Sequence, residues 1–289
     1  MLQPATYAGD VFVDAGASGN GSGGSWANAH VHLQDGIAAS QSGDTIYVAG
    51  GVYYPDRTSA NPSGSGDRFA SFWIDHNLTV RGGFAGSANP GKPGEYDPGT
   101  YPTILSGDLL GDDGGFFDPN TVNQNDPDRD DNSAHVVVIA NDPTIAGGFM
   151  TVGLEDLSIQ KGFAHAVGAP PGAPDELVGA GLLCFEANTT TGLGVTLDRC
   201  TVRGNFAKAE GGGIASAGNG LVMRDCRVQG NASRFGAGYA GLGQIENHSN
   251  SHLTATRTLW AENHVRLVSV GPSAGGGMAL DRTIADVRN

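Results

Sequence analysis

The chain has 289 residues, a net charge of −14 from 16 basic and 30 acidic side chains, and 47 glycines. That much negative charge repels nucleic acid and anionic membrane surfaces and favours hydration and divalent cations instead. No apolar run reaches the length of about 18 residues that a membrane-spanning helix needs, and the three cysteines lack the CxxC spacing of zinc or thioredoxin-like chemistry.

Taken in order, Met1–Ala8 has neither the basic start nor the apolar core of a signal peptide. Asp10–Asp14 reads as a short strand and Ala15–Ser25 as a Gly/Ser/Asn loop. Trp26, Ala29, Leu33 and Ile37 recur at three- and four-residue steps. That spacing predicts one amphipathic helix over 26–40, with Ser25 as its N-cap and Gly43 beyond its end. A single helix ahead of many strands suits a cap over the first apolar layer of a β stack. Strands follow at Asp44–Tyr54 (broken at Gly50-Gly51), Phe72–Phe84 and Thr103–Leu105, with Pro/Gly/Ser loops between them. The most acidic stretch is Asp108–Asp131, and a loop that long inside a domain is functional or mobile. His135–Ala140 is an apolar, β-branched strand of the buried kind.

From Gly153 one phrase keeps returning: Leu154-Glu-Asp-Leu157-Ser-Ile159, Leu197-Asp-Arg-Cys200-Thr-Val202 and Met223-Arg-Asp-Cys226-Arg-Val228. Two weaker copies are Ala255-Thr-Arg-Thr258-Leu-Trp260 and Leu280-Asp-Arg-Thr283-Ile-Ala285. Cys200, Cys226, Thr258 and Thr283 stand 26, 32 and 25 residues apart, which is solenoid spacing. Within a copy the apolar parity flips, from Val195 and Leu197 to Cys200 and Val202. Strand side chains alternate faces, so one face stays apolar across the break only if the chain turns there. The charged dipeptide is therefore a corner, and the next copy stacks on it at about 4.8 Å. Stacking places Asp156, Arg199, Asp225 and Arg257 in a column of alternating charge. It makes Asn205, Asn231 and Asn263 an amide ladder at a turn where Asn tolerates the left-handed conformation. It also makes Cys200 and Cys226, then Thr258 and Thr283, an inward column of small residues rather than a disulfide.

These residues resemble the right-handed parallel β-helix proteins of the pectate-lyase-like superfamily. Val202-Arg-Gly-Asn205 followed by Gly211-Gly-Gly-Ile214 resembles the FxxN and GGAI repeats of polymorphic outer membrane proteins. Gly179-Ala-Gly-Leu182, Gly236-Ala-Gly-Tyr239 and Gly275-Gly-Gly-Met278 repeat the second motif, while Val202, Val228 and Trp260 depart from the Phe of the first. Ser25-Trp-Ala-Asn-Ala29, Leu33-Gln-Asp35, Gly43-Asp-Thr-Ile46 and Ile104-Leu-Ser-Gly-Asp108 are similar to secreted bacterial β-helix repeat proteins. The resemblance covers residues 10–289. It implies an all-β, right-handed parallel β-helix with one N-terminal capping helix and long insertions. As one domain over 1–289, it divides into strand and cap helix (1–43), early rungs with long loops including 108–131 (44–152), and regular rungs (153–289). It also implies a secreted or cell-surface location of bacterial type, and little about activity.

A β-helix raises the question of polysaccharide cleavage. Polygalacturonase-like chemistry uses a Gly-His-Gly, and none of the eight histidines lies between glycines. Pectate-lyase-like chemistry uses Asp-bound calcium beside an Arg base. Asp198, Arg199, Arg203, Asp225 and Arg227 could be drawn into that role, but the corner column already accounts for them. His165, His248, His252 and His264 show no metal spacing. The acidic insertion is the better candidate site. Calcium takes several carboxylate and carbonyl oxygens, and Asp112, Asp113, Asp126, Asp128 and Asp130 offer them. An EF-type loop starting at Asp126 would need Gly where Asp131 stands and Glu where Val137 stands, so that motif is incomplete.

The first reading is a secreted or surface-bound, non-catalytic β-helix with a structural or adhesive role, with calcium as the one implied cofactor. The last copy ends within a rung with no cap after it, so either the chain is a fragment or another subunit covers that end, and head-to-tail stacking of identical chains would give filaments. The alternative is a carbohydrate-active lyase or hydrolase, or a glycan-binding module. Nucleic-acid partners and membrane spans are not expected.

Overall fold

A computed structural model describes residues 9–114, 118–119, 122, 127–141, 148–165, 177–186, 191–242, 251–265, 277–280 and 283–288. The chain winds as a parallel β-helix. The first sheet stacks eight strands in the order Asp10–Val13, Asp44–Ala49, Leu78–Phe84, Gly148–Glu155, Thr191–Asp198, Gly220–Arg224, Ser251–Thr256 and Thr283–Arg288. The second sheet stacks Gly51–Tyr53, Thr103–Ser106, Leu157–Gln160, Thr201–Arg203, Arg227–Gln229 and Leu259–Ala261. The third stacks Phe72–Ile74, Val137–Ala140, Leu182–Phe185, Ile214–Ala217, Tyr239–Leu242 and Met278–Leu280. Between the second and third, the regular rungs add the short strands Phe163–Ala164, Phe206–Ala207, Ala232–Ser233 and His264–Val265. Every strand pairing is parallel. Among the described residues no helix is long and apolar enough to cross a membrane.

The corners sit where the parity flip puts them. Asp156, Arg199, Asp225 and Arg257 have φ of 55°, 53°, 53° and 47°, and Val195, Leu197, Cys200 and Val202 on either side of Arg199 are all buried. A non-glycine residue in this left-handed region costs about 1–2 kcal/mol. Axial hydrogen bonds offset it: Arg199 N–H donates to the Arg224 carbonyl at 2.9 Å, and Asp225 N–H to that of Thr256 at 3.1 Å.

The amide ladder is also present. Asn205 Nδ2 donates to Asn231 Oδ1 at 3.0 Å, and Asn231 Nδ2 to Asn263 Oδ1 at 2.9 Å. The turn conformation differs from the sequence expectation. The residue before or near the ladder takes the positive φ (Lys161, Gly204, Gly230 and Glu262), which frees each Asn to point inward. The glycine motifs explain why the ladder fits. A Cβ on Gly213 would lie 3.0 Å from Asn231 Nδ2 and 2.7 Å from the Gly238 carbonyl oxygen, and Gly181 and Gly238 face Asn205 and Asn263 in the same way. The two repeated motifs are thus one packing unit: glycine in one corner makes room for the amide of the other.

Three expectations change. The helix over 26–40 is two pieces, a 3-10 turn at Trp26–Asn28 and an α-helix at Leu33–Ala39, and Ser25 makes no side-chain cap. The segment between them pairs with the first strand, where His30 N–H donates to the Phe12 carbonyl and Asp14 N–H to that of His30. Ladder bonds to an open sheet edge replace helical ones there, while Ala29, Leu33 and Ile37 still turn inward. The last repeat copy is displaced. Thr283 pairs with Ser251 in the first sheet rather than standing above Thr258, and Leu280 belongs to the third sheet, so this copy does not stack on the corner at Arg257. The inward column is therefore Cys200, Cys226 and Thr258, all buried. The three thiols are free, and burial raises the proton affinity of each, pushing Cys226 up to about 11.

Candidate functional site

The acidic insertion leaves the second sheet after Thr103–Ser106 and returns to the third at Val137–Ala140. Its base is tied to the stack, since Gly107 N–H donates to the Gln160 carbonyl and Ser133 N–H to that of Gly107. Asp108, the first residue beyond, meets Lys161 of the following rung at 2.6 Å. The chain then doubles back on its own carboxylates. Asp112 N–H donates to Asp108 Oδ1 at 3.1 Å and Leu110 N–H to Asp131 Oδ2 at 3.1 Å. Asp108, Asp112 and Asp131 end with one carboxylate oxygen each inside a 4.8 Å cluster. Burial is the main cause that lifts Asp131 above the ordinary carboxylate value, with repulsion from Asp112 and Asp108 adding to it.

Beside this cluster, Asp113 is nearly enclosed, with its side chain 1% exposed. Its Oδ2 accepts from Arg129 Nη1 and from Asn132 Nδ2, both at 2.9 Å. Burial is the main cause that raises its proton affinity above the ordinary carboxylate value, with the Asp108 charge adding to it. Asp113 Oδ1 and Asn132 Oδ1 are buried without a hydrogen-bond partner.

Of the five expected metal ligands, only Asp112 stands in the cluster and Asp113 adjoins it. Asp128 is exposed on the 3-10 turn Pro127–Arg129, and Asp130 faces His165 Nε2 at 3.2 Å, so the alternating Asp motif does not converge. The turn itself separates them, by burying Arg129 against Asp113 and turning the neighbouring carboxylates outward. Asp126 lies outside the described residues. His165 is held by Asp130 and by Arg68 Nη2 at 3.2 Å from its Nδ1, and burial keeps it below the usual imidazole value. Asp108 and Asp131, which the spacing of the acidic residues does not single out, are the other two members of the cluster. The register sets Gly107 opposite Lys161, so Asp108 reaches Lys161 from one residue out of step and aligning the rungs does not single it out.

The corner column is the other place where acid, base and guanidinium meet. Arg199 makes a two-point contact with Asp156, Nε to Oδ1 and Nη2 to Oδ2 both at 2.8 Å, and its Nη1 reaches Asp198 at 2.7 Å. Tyr96 adds a hydroxyl to Asp156 Oδ2 at 2.6 Å. Arg257 grips Asp225 in the same two-point way, at 2.6 and 2.5 Å. Arg203 and Arg227 turn to Gln160 and Gln229. An Arg acting as a base has to give up its proton. Here the hydrogen bonds to Asp156 push the Arg199 proton affinity higher still, the opposite of what a lyase needs.

No family model matches the chain, and no curated protein does. Among solved structures, pectin methylesterase PemA from Erwinia chrysanthemi is similar, at 11% identity and a TM-score of 0.32, over 90% of this chain and 82% of that one. The β-helix rests on the strand order and parallel register described above.

Proposed function

We propose that this protein is a secreted or cell-surface β-helix with a structural or adhesive role rather than an enzyme. The observation that carries the reading is the Arg199–Asp156–Asp198 corner: the side chains that could form a lyase site spend their hydrogen bonds on one another along the helix axis. End-to-end association belongs to the same proposal. Among the described residues Thr283–Arg288 is an outermost strand of the first sheet, and parallel pairing with a strand of another chain is the contact this part of the proposal needs. Incubation with a panel of acidic and neutral glycans is expected to give no new reducing ends and no unsaturated products. Turnover that disappears in Arg199→Ala would overturn the reading. Sedimentation across a concentration series tests the assembly separately, and a monomer at every concentration removes the end-to-end part.

A glycan-binding module is the second reading, favoured by one feature. Phe149 is 65% exposed, yet its ring lies against the first sheet, where a Cβ on Gly192 or Gly194 would come within 2.7 or 2.8 Å of it. A ring held flat on a glycine floor is a platform for a sugar face. Binding without turnover, lost in Phe149→Ala, would select this reading.

A further inference from the structure

We propose that the outer face of the first sheet binds one neutral pyranose unit of a glycan, in a shallow groove beside Phe149. The inference rests on the glycan-binding reading and adds to it where the sugar sits and what charge it carries. The groove has a volume of about 200 Å³, and Thr79, Thr151, Gly153, Thr196, Asp44 and Asn77 line it. Register makes its shape. Gly153 pairs with Thr79 on one side and with Thr196 on the other, while Val152, Leu154, Val195 and Leu197 beside them are buried. Strand alternation therefore turns Thr79, Gly153 and Thr196 outward together, and the glycine leaves a notch between two hydroxyls. A Cβ on Gly153 would meet nothing nearer than Thr79 Oγ1 at 3.3 Å, the end of a side chain that can turn away, so packing alone does not demand glycine there. Glycine inside a strand marks a place where another group comes close. Phe149 adjoins the notch: its ring lies on Gly194, which pairs with Thr151 and precedes Thr196 on the same face by one two-residue step of about 6.6 Å.

The chemistry of the lining selects the sugar. An exposed ring offers its negative face to the weakly positive C–H edge of a pyranose. Threonine hydroxyls both donate and accept, as sugar hydroxyls do, and those of Thr79 and Thr196 have no side-chain partner among the described residues. Asn77 is held in place, its Oδ1 accepting from Thr151 N–H at 2.7 Å and its Nδ2 donating to Ser42 Oγ at 3.0 Å, which leaves one amide hydrogen to give. No lysine or arginine lines the groove. Its one charged group, Asp44, has both oxygens committed, Oδ1 to Gly9 N–H at 2.7 Å and Oδ2 to Gln41 N–H at 2.8 Å. A carboxylated or sulfated sugar would find no cation here and would meet the repulsion of Asp44 and of a chain with net charge −14. An uncharged sugar meets neither cost.

Calorimetric titration of the full chain with linear hexasaccharides of glucose, mannose, galactose and galacturonic acid tests it. At least one neutral sugar should bind with a dissociation constant on the order of 10⁻³ M or tighter, and the galacturonate at least about tenfold more weakly. Gly153→Val fills the notch with a residue that suits a strand and should weaken binding at least about tenfold. Thr196→Val keeps the shape, removes one hydroxyl and should weaken binding about fivefold. Thr254→Val, exposed two rungs beyond Thr196 in the same column, should leave affinity within about twofold. Unchanged circular dichroism verifies the fold of each variant. Binding lost in Phe149→Ala but kept in both Gly153→Val and Thr196→Val would overturn the groove and leave the glycan-binding reading standing. Tighter binding of the galacturonate would overturn the neutral class alone, and a parent chain that binds none of the four sugars would overturn both.

Discussion

Removing one amide from the ladder tests the architecture at its least replaceable point. Asn231 is 0% exposed. Its Oδ1 accepts from Asn205 N–H at 3.1 Å and Asn205 Nδ2 at 3.0 Å, while its Nδ2 donates to the Val202 carbonyl at 3.0 Å and to Asn263 Oδ1 at 2.9 Å. Asn231→Ala removes all four bonds. A buried polar group stripped of its partner costs roughly 1–3 kcal/mol, and with the Asn205 N–H stranded and two oxygens deprived of a donor we expect about 3–5 kcal/mol. A solenoid need not unfold in one step, so a bulk melt understates a local loss. Hydrogen exchange at the Asn205 amide reads it directly, and 3–5 kcal/mol is a gain of about 10²-fold or more in local opening. Arg224→Ala, on an exposed position of the same rung, should leave that amide unchanged. If Asn205 exchanges in Asn231→Ala as it does in the parent, the ladder is decoration and the coupling of the asparagine and glycine motifs is wrong.

Four further outcomes follow from the same geometry. Iodoacetamide should label none of Cys184, Cys200 and Cys226 in the folded chain and all three after unfolding, and rapid labelling under native conditions would contradict their inward column. Because burial lifts Cys226 to about 11, its thiol favours the fold at pH values below its ordinary range and loses that contribution as pH rises from about 9 to 11; urea midpoints across that range check the sign. Asp113 and Asp131 are also raised, so they favour the folded insertion below the ordinary carboxylate pKa and lose that contribution as pH rises through their folded values. Protection of residues 107–113 in hydrogen exchange should therefore fall with rising pH, and protection that is flat across that range would contradict it. Finally, Arg199→Ala strands Asp156, whose side chain is 2% exposed, and should cost about 1–3 kcal/mol, whereas Arg257→Ala leaves an exposed Asp225 and should barely shift the melting temperature.

The β-helix was legible because its rules are local and repeated. Parity at Leu197 and Cys200 demanded a corner, the rung spacing carried that corner to Asp156, Asp225 and Arg257, and positive φ appears at each. Where a copy is worn, the same reasoning misplaced it. Leu280-Asp-Arg-Thr283 has the letters of a corner, but register with Ser251–Thr256 is set by the whole strand, and the strand puts Thr283 in the first sheet. The helix failed for a related reason, since a periodic face at Trp26, Ala29, Leu33 and Ile37 does not reveal that an open strand edge at Phe12 competes for the backbone between them. The acidic site lay further out of reach. Its spacing motif, Asp126-x-Asp128-x-Asp130, is a pattern in one dimension, whereas Asp108 and Asp131 are brought together by a loop closing on the stack. Lys161 is what makes Asp108 intelligible. In a solenoid the nearest partners of a residue lie a full turn away, so a side-chain cluster has to be sought between rungs, and the ion pair from Lys161 to Asp108 crosses rungs in this way although the register sets Gly107 opposite Lys161.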